Sequence, residues 1–278
     1  MRTGAVNANA LPEDGARLTA SYHLPPDLAA AVALQSSVGK AVPLQSLCLP
    51  GGIYRGPIFK RIPANGPSYG RPYVAPAELE RLEIGSYRYL SFSHGRLLDD
   101  LALTAGMICV TCSGMSLGKV IFVRPDMEGL VASHDLIRIL PDREHVHPGY
   151  LFAFLSSRLG KLAIRRQIYG SSIRHIEPQH LFELPIVRLG TDAEAAIGQP
   201  VLEAQKAIAS GLSAVAEARR RLHKSVGLEI EGLLASDEVR ADELIGRATK
   251  LRSDAAKAIG DVASEFDSQV AAIERGRR

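Results

Sequence analysis

The run TCSGMSLGKVIFV, residues 111–123, holds two glycines, two serines and a lysine, and so invites comparison with a phosphate-binding loop. Such a loop needs four residues between its glycines, then lysine, then Ser or Thr for the metal, with a helix following. Here Gly114 and Gly118 enclose three residues, and Lys119 is followed by Val120, which cannot hold magnesium. VIFV reads as a strand. The local expectation is strand, glycine turn, strand: GMICVTC, SGMSLG, KVIFV.

Other chemistry-bearing sets are equally thin. Cys109 and Cys112 form a CxxC, but inside MICVTCS the two side chains fall on opposite faces of a strand rather than at a helix start. Zinc would need two more ligands, and only Cys48 and scattered histidines remain. His145 and His147 share one side of an extended segment with no third ligand in view. Asp99 and Asp100 are adjacent, so they point apart into solvent. There is no G-x-S-x-G, no methyltransferase cofactor loop and no Asn/Asp-Pro-Pro-aromatic motif. No catalytic residue, metal or cofactor is expected of this chain.

Charge is more informative. Residues 1–190 hold 20 Lys+Arg against 15 Asp+Glu, whereas residues 191–278 hold 13 against 15. From His145 to Ile176 there is no acidic residue at all. Its centre, KLAIRRQIYGSSIRH, carries Arg165, Arg166, Gln167, Ser171, Ser172, Arg174 and His175. Arginine forks and small hydroxyls suit phosphates and guanine edges. The same residues also fit a plain helix C-terminus, with cations on its dipole and a glycine stop. A second basic run, YRGPIFKRIPANGPSYGRPYV, sets Arg55, Lys60, Arg61 and Arg71 among prolines, glycines and tyrosines. Such loops can reach a groove from a rigid scaffold.

The elements that must position these residues form an α+β domain with a twisted, mainly antiparallel sheet. AVPLQSLC, YRYLSFS, the hairpin arms and DLIRILP read as strands. HPGYLFAFLSSRLGKLAIRRQIY reads as one helix, with Pro148 in its first turn. A short helical turn opened by Pro178 and a last strand, ELPIVRL, follow. Composition then changes to Ala, Glu and Arg. Val201, Ile208, Val215 and Leu222 recur every seven residues, the spacing of a helix-pairing seam, with Ile197, Ala204, Gly211, Ala218 and Ser225 as the small alternate positions. A second helix, capped by Ser236, carries Leu244 to Ile273 and makes a coiled-coil-like hairpin with the first. The expected organisation is thus a flexible lead-in over residues 1–16, a globular domain over 17–190 and a helical region over 191–278. Three cysteines give no disulfide framework, and neither a secretory leader nor an apolar stretch near 18 residues is present. A cytoplasmic protein off the membrane is expected.

In this order the motifs resemble the DNA specificity subunit of type I restriction-modification systems. The matching runs are YRGPIFKR, GMICVTCSGMSLGKVIFV, ASHDLIRILPD, HPGYLFAFLSSRLGKLAIRRQIYGSSIRHIEPQHLFELPIVRL and the heptad-like helix from Ala195, together covering most of residues 17–230. The resemblance implies a non-catalytic subunit that reads double-stranded DNA and holds an adenine methyltransferase (modification) subunit, which uses S-adenosylmethionine. A restriction subunit can join. Residues 17–190 would be a target recognition domain and 191–278 a spacer and dimerisation region. The usual subunit has two recognition domains and this chain has room for one, so it is like a half-subunit that pairs with itself or with another half. Ser113, Ser116 and Lys119 in the glycine turn would then face DNA with the two basic runs; a plain tight turn in the core explains them equally well. A different class also fits: a coiled-coil assembly or decoy protein that binds such a complex without reading DNA.

Overall fold

A computed structural model describes residues 40–84, 87–170 and 174–225, with Lys250. The expected lead-in and the expected second helix lie outside the described residues. The chain divides into two units, Met1–Leu212 and Ser213–Arg278. Only one helical stretch, Ser213–Ser225, and Lys250 are described in the second.

The chain enters through β1 (Ala41–Pro43), a 3-10 turn (Leu44–Leu47) and β2 (Cys48–Arg55). AVPLQSLC is therefore not one strand. Leu44 and Leu47 are both buried, which a turn with a repeat of three achieves, and Ser46 Oγ donates to the Pro43 carbonyl at 2.7 Å. Next come β3 (Pro63–Ala64), β4 (Gly70–Val74), α1 (Pro76–Leu79), β5 (Arg88–Ser91) and α2 (Leu97–Asp100). YRYLSFS is a strand only to Ser91, whose hydroxyl accepts from Ser93 N at 3.2 Å and starts a 3-10 turn. The hairpin β6 (Ile108–Thr111) and β7 (Val120–Phe122) precedes β8 (Val131–Ala132) and β9 (Leu136–Pro141). The rest is helical apart from one strand: α3 (Pro148–Ser156), α4 (Arg158–Arg166), α5 (Gln179–Phe182), β10 (Pro185–Val187) and α6 (Thr191–Ser225).

The fold is α+β, and every strand pair is antiparallel except β4–β8. One sheet has the order β2-β9-β6-β7, a second β3-β5-β4-β8, and β1 pairs with β10. The first sheet is buried on both faces, and its alternation shows how. Ile108, Val110, Phe122, Ile137 and Ile139 pack with Tyr150, Leu151, Leu155 and Ile164 of α3 and α4. Met107, Cys109, Ile121, Val123 and Leu136 point the other way, toward Val74 and Ala132 of the second sheet. Two buried faces explain near-continuous apolar runs such as MICVTC. The CxxC is divided as expected, Cys112 in one cluster and Cys109 in the other.

The single helix expected over residues 147–169 is broken in two. Ser157 is extended (φ −65°, ψ 169°), and its Oγ accepts from Gly160 N at 3.1 Å, an N-cap that starts α4 afresh. Gly160 lets the new helix lie on the old one, since a Cβ there would stand 2.2 Å from the Phe154 carbonyl oxygen. The break leaves Leu159 exposed at the start of α4.

Arg138 occupies an inward position of β9 and is 0% exposed. Its guanidinium donates to the carbonyls of Leu101 (2.9 Å), Ala132 (3.1 Å) and Leu136 (3.3 Å), and it lies over the Tyr54 ring. The arginine adds donors to carbonyls of the α2 end, β8 and β9, so that two of its three nitrogens are satisfied inside the core while Nε has no partner among the described residues.

Pairing of β1 with β10 brings the start of the globular unit beside its end and delivers the chain to α6. Arg188 then grips Glu194 in the first helical turns through Nε–Oε1 (2.7 Å) and Nη2–Oε2 (2.9 Å). One turn later Gly198 meets Gly149 of α3, where a Cβ on Gly149 would stand 2.2 Å from the Gly198 carbonyl oxygen. No described helix is long and apolar enough to cross a membrane.

Candidate nucleic-acid interface

The glycine turn between β6 and β7 is built by Gly114 (φ +76°) and Gly118 (φ +83°), a left-handed geometry that glycine adopts freely. Three of its amides are spent within the turn. Leu117 N donates to Gly114 O (3.3 Å), Gly118 N to Thr111 O (2.8 Å) and Lys119 N to Ser116 O (3.0 Å). Thr111 Oγ1 closes it further by donating to Ser116 O. These donors serve the turn itself, and a strand rather than a helix follows it, unlike the phosphate-binding loop its glycines invited. Met115 stands fully in solvent at the tip, and Lys119 reaches Glu80 as an ion pair.

Behind the turn lies a polar cluster. Ser113 Oγ donates to Asp135 Oδ1 (2.8 Å) and Ser133 Oγ to Oδ2 (2.9 Å). Arg55 donates from Nε to the His134 carbonyl (2.8 Å) and from Nη1 to Glu177 Oε1 (2.9 Å), while its Nη2 lies 3.9 Å from Asp135. Burial works to raise the Asp135 pKa, but the serine hydrogen bonds and the neighbouring His134 and Arg55 hold it below the usual carboxylate value. The His134 pKa is lowered as well, first by burial, which for an imidazole favours the neutral form.

The basic GSSIRH segment is joined to this cluster. Ile176 N donates to Cys112 O (3.1 Å), and Tyr169 and His175 exchange reciprocal backbone hydrogen bonds of 3.0 and 2.9 Å. Their rings meet at 3.9 Å with a 57° tilt, and His180 meets Tyr169 edge-on at 4.7 Å. Arg165 and Arg166 form the last turn of α4 and Gln167 its C-cap; Ile164 and Ile168 pack beneath Gly118. Arg174 is exposed. Ser171 and Ser172 lie outside the described residues.

The other basic run divides. Arg61 and Arg88 flank the Tyr73 ring at 5.5 and 5.4 Å, and Lys60 is exposed beside them in sequence. Arg71 is bound to Asp99 (2.7 Å) and to the Gly129 carbonyl (3.1 Å). Phe59, next to Lys60, sets its ring against His94 and, at 6.4 Å, against His134. This aromatic contact ties the second run to the first cluster. The structure thus brings Arg55, Ser113, His175 and the end of α4 together around the hairpin turn, with the Lys60–Arg61 loop attached through Phe59. Arg71 and Lys119 are held by carboxylates on other elements.

Reading residue types missed His134, Asp135 and Glu177, which organise the cluster, and Arg88. SHD within ASHDL is the only local signal for the first two. The cysteines offer no thiolate chemistry: burial pushes Cys48 and Cys109 up to about 12 and Cys112 up to about 11. No group of three metal-ligating side chains occurs among the described residues, and His145 pairs with Asp142 at 3.0 Å. Of the helix seam, Val201 and Ile208 are half-buried, while Val215 and Leu222 are each 44% exposed.

No protein-family model matches the chain, and no curated protein does. Solved structures do. One is a chain from a type I R-M system studied for complex assembly and conformational transition, with 18% identity over 71% of this chain and 49% of that one, TM-score 0.42. Another is the S subunit of a type I restriction-modification system from M. genitalium, with 17% identity over 73% and 48%, TM-score 0.42. A third is the HsdS subunit from Thermoanaerobacter tengcongensis, with 18% identity over 72% and 50%, TM-score 0.40. The match takes in about half the length of each of these chains.

Proposed function

We propose that this chain is a sequence-specific DNA-binding subunit of a type I-like restriction-modification complex, which brings an adenine methyltransferase, with or without a nuclease subunit, to its target. The observation that carries the reading is the junction of the GSSIRH segment with the hairpin turn. A rigid polar cluster holds two loops side by side, and exposed Arg174, Lys60 and Arg61 extend from that scaffold. Loops on a fixed frame, carrying arginines, hydroxyls and aromatic rings, are suited to phosphates and base edges. The ordered series of motifs shared with specificity subunits supports the same assignment. In this reading α6 supplies the pairing surface for a second half-subunit, and two copies would read a palindromic two-part site.

The test is co-purification with a candidate adenine methyltransferase subunit, then mapping of methylated adenines in plasmid DNA with and without this chain. A two-part methylation motif that depends on the chain is the expected result. Its symmetry distinguishes a homodimer from a mixed pair. A stable complex that leaves methylation unchanged would overturn DNA reading in favour of the assembly or decoy role.

A further inference from the structure

The β6–β7 hairpin has two ends. Its turn belongs to the interface above. Its open end, on the order of 13 Å away at four residues of strand, borders a cavity of about 510 Å³. That volume lies within the range of pockets that enclose small organic ligands. The cavity is separate from the DNA-facing loops: none of the basic residues of those loops lines it.

Its walls come from three places. Phe122 and Pro125 follow from the hairpin, Val146 and Pro148 from the segment that leads into α3, and Leu202 from α6. These make the apolar part of a lining to which His147, Thr191 and Gln205 add polar groups. The floor carries Arg188 and Glu194, whose two-point ion pair occupies both carboxylate oxygens; Leu189 N adds a third hydrogen bond to Glu194 at 3.1 Å. The buried acid is therefore neutralised and presents no repulsion to an anion.

At the rim, Arg143 and Lys206 are exposed, and neither makes a hydrogen bond or ion pair with another described residue. They approach from different elements. Arg143 lies over Gly106, where a Cβ would come within 3.1 Å of its Nη2, and Gly106 is left-handed at φ +91°. Lys206 comes from the second turn beyond Pro200. Glu144 is the one exposed rim acid among the lining residues, and His145 is engaged with Asp142. A partly apolar cavity with two uncommitted cations at its mouth selects an amphiphilic anion. The apolar wall excludes a bare inorganic ion, whose hydration it could not replace, and the cations favour a charged end over a neutral one.

We propose that this cavity binds a small organic anion with an apolar body. The apolar body would lie against Phe122, Pro148 and Leu202, and the anionic group toward Arg143 and Lys206. Such a ligand would fill the joint between the first turns of α6 and the globular domain. The inference stands independently of DNA reading.

The probe is 1-anilinonaphthalene-8-sulfonate, titrated by fluorescence into the full chain, with uncharged N-phenyl-1-naphthylamine as its partner. The sulfonate is expected to saturate at one site. Arg143→Ala with Lys206→Ala should weaken it about tenfold, as loss of two partly exposed charge contacts implies, and leave the neutral probe unchanged. Leu202→Trp, which fills the apolar part of the cavity, should abolish both. Both positions of the double variant are on the surface, so an unchanged thermal midpoint certifies its fold even if Leu202→Trp does not fold. Failure of the sulfonate to bind the native chain, or equal affinity for the native chain and the double variant, overturns the proposal. If binding holds, competition by nucleoside monophosphates against an aromatic carboxylate sorts the ligands within the class.

Discussion

Arg55 and Arg174 are indistinguishable as residue types, yet their surroundings divide their roles. Arg55 gives its donors to the His134 carbonyl and Glu177, and so fastens β2 to the segment after the basic loop. Arg174 is exposed beside the Tyr169–His175 bridge. Arg174→Ala should therefore leave the thermal midpoint unchanged and weaken DNA binding by about 5- to 150-fold if it contacts a base, relaxing one target position. A phosphate contact would instead weaken all sequences alike and reduce the salt slope by about one. Arg55→Ala should lower the midpoint, because it leaves a partly buried carboxylate and a carbonyl without their donor. Binding by salt titration, read beside thermal melts, separates the two residues. Arg55 was legible as a basic residue but not as a scaffold residue, since its acceptors lie 79 and 122 positions further along the chain. Arg138 was hidden for a related reason. Flanked by Ile137 and Ile139, it lies on the other side of β9 from them, and the second sheet covers that side.

Among the elements, those whose period is set by burial were easiest to read. The hairpin arms and β9 obey the alternation of two, and α6 begins at Thr191, one residue beyond the change in composition. Breaks were harder, because Ser157 is a cap only when Gly160 is present to pack on the preceding turn. The same kind of close approach fixes α6. A Cβ on Gly198 would lie 2.1 Å from His147 Nδ1 and 2.6 Å from Tyr150 N, whereas one on Gly211, also in α6, would meet nothing within 4 Å. Alanine is the better helix former by about 1 kcal/mol, so the sign of the effect reports the packing. Gly211→Ala should stabilise the chain by up to about 1 kcal/mol. Gly198→Ala should destabilise it by about 1–3 kcal/mol, the usual cost of overpacking. Urea unfolding of the two variants checks this, and a stabilised Gly198→Ala would mean that the helix does not dock through that glycine.

For the molecule as a whole, the open question is what α6 pairs with. Val215 and Leu222 expose 44% of their surface, one heptad apart, while Glu217 pairs with Arg220 (2.9 Å) and Arg221 (2.8 Å). An apolar row beside a solvated charged row is the arrangement a helix presents to another helix. Val215→Glu with Leu222→Glu should convert a dimer to a monomer in sedimentation while leaving the globular unit's melting unchanged. A sedimentation profile unmoved by these charges would remove the seam from the assembly. The seven-residue spacing was visible in the sequence; whether its partner lies in the same chain was not, because a small-residue seam serves either case.

The Tyr169–His175 bridge has a consequence for how such a molecule can diversify. Both of its hydrogen bonds are backbone to backbone, so they do not depend on the identity of the residues they enclose. Lengthening an enclosed loop costs only about 0.6 kcal/mol for each doubling. Added length between these two anchors is therefore cheap, although Gly170 at φ +93° is a position that glycine alone takes freely, while frame residues such as Arg55 and Asp135 are each tied to several others. Heritable variation is then funnelled into one short cassette. A chain built this way can acquire a new preference by exchanging a handful of codons, without refashioning the body that presents them.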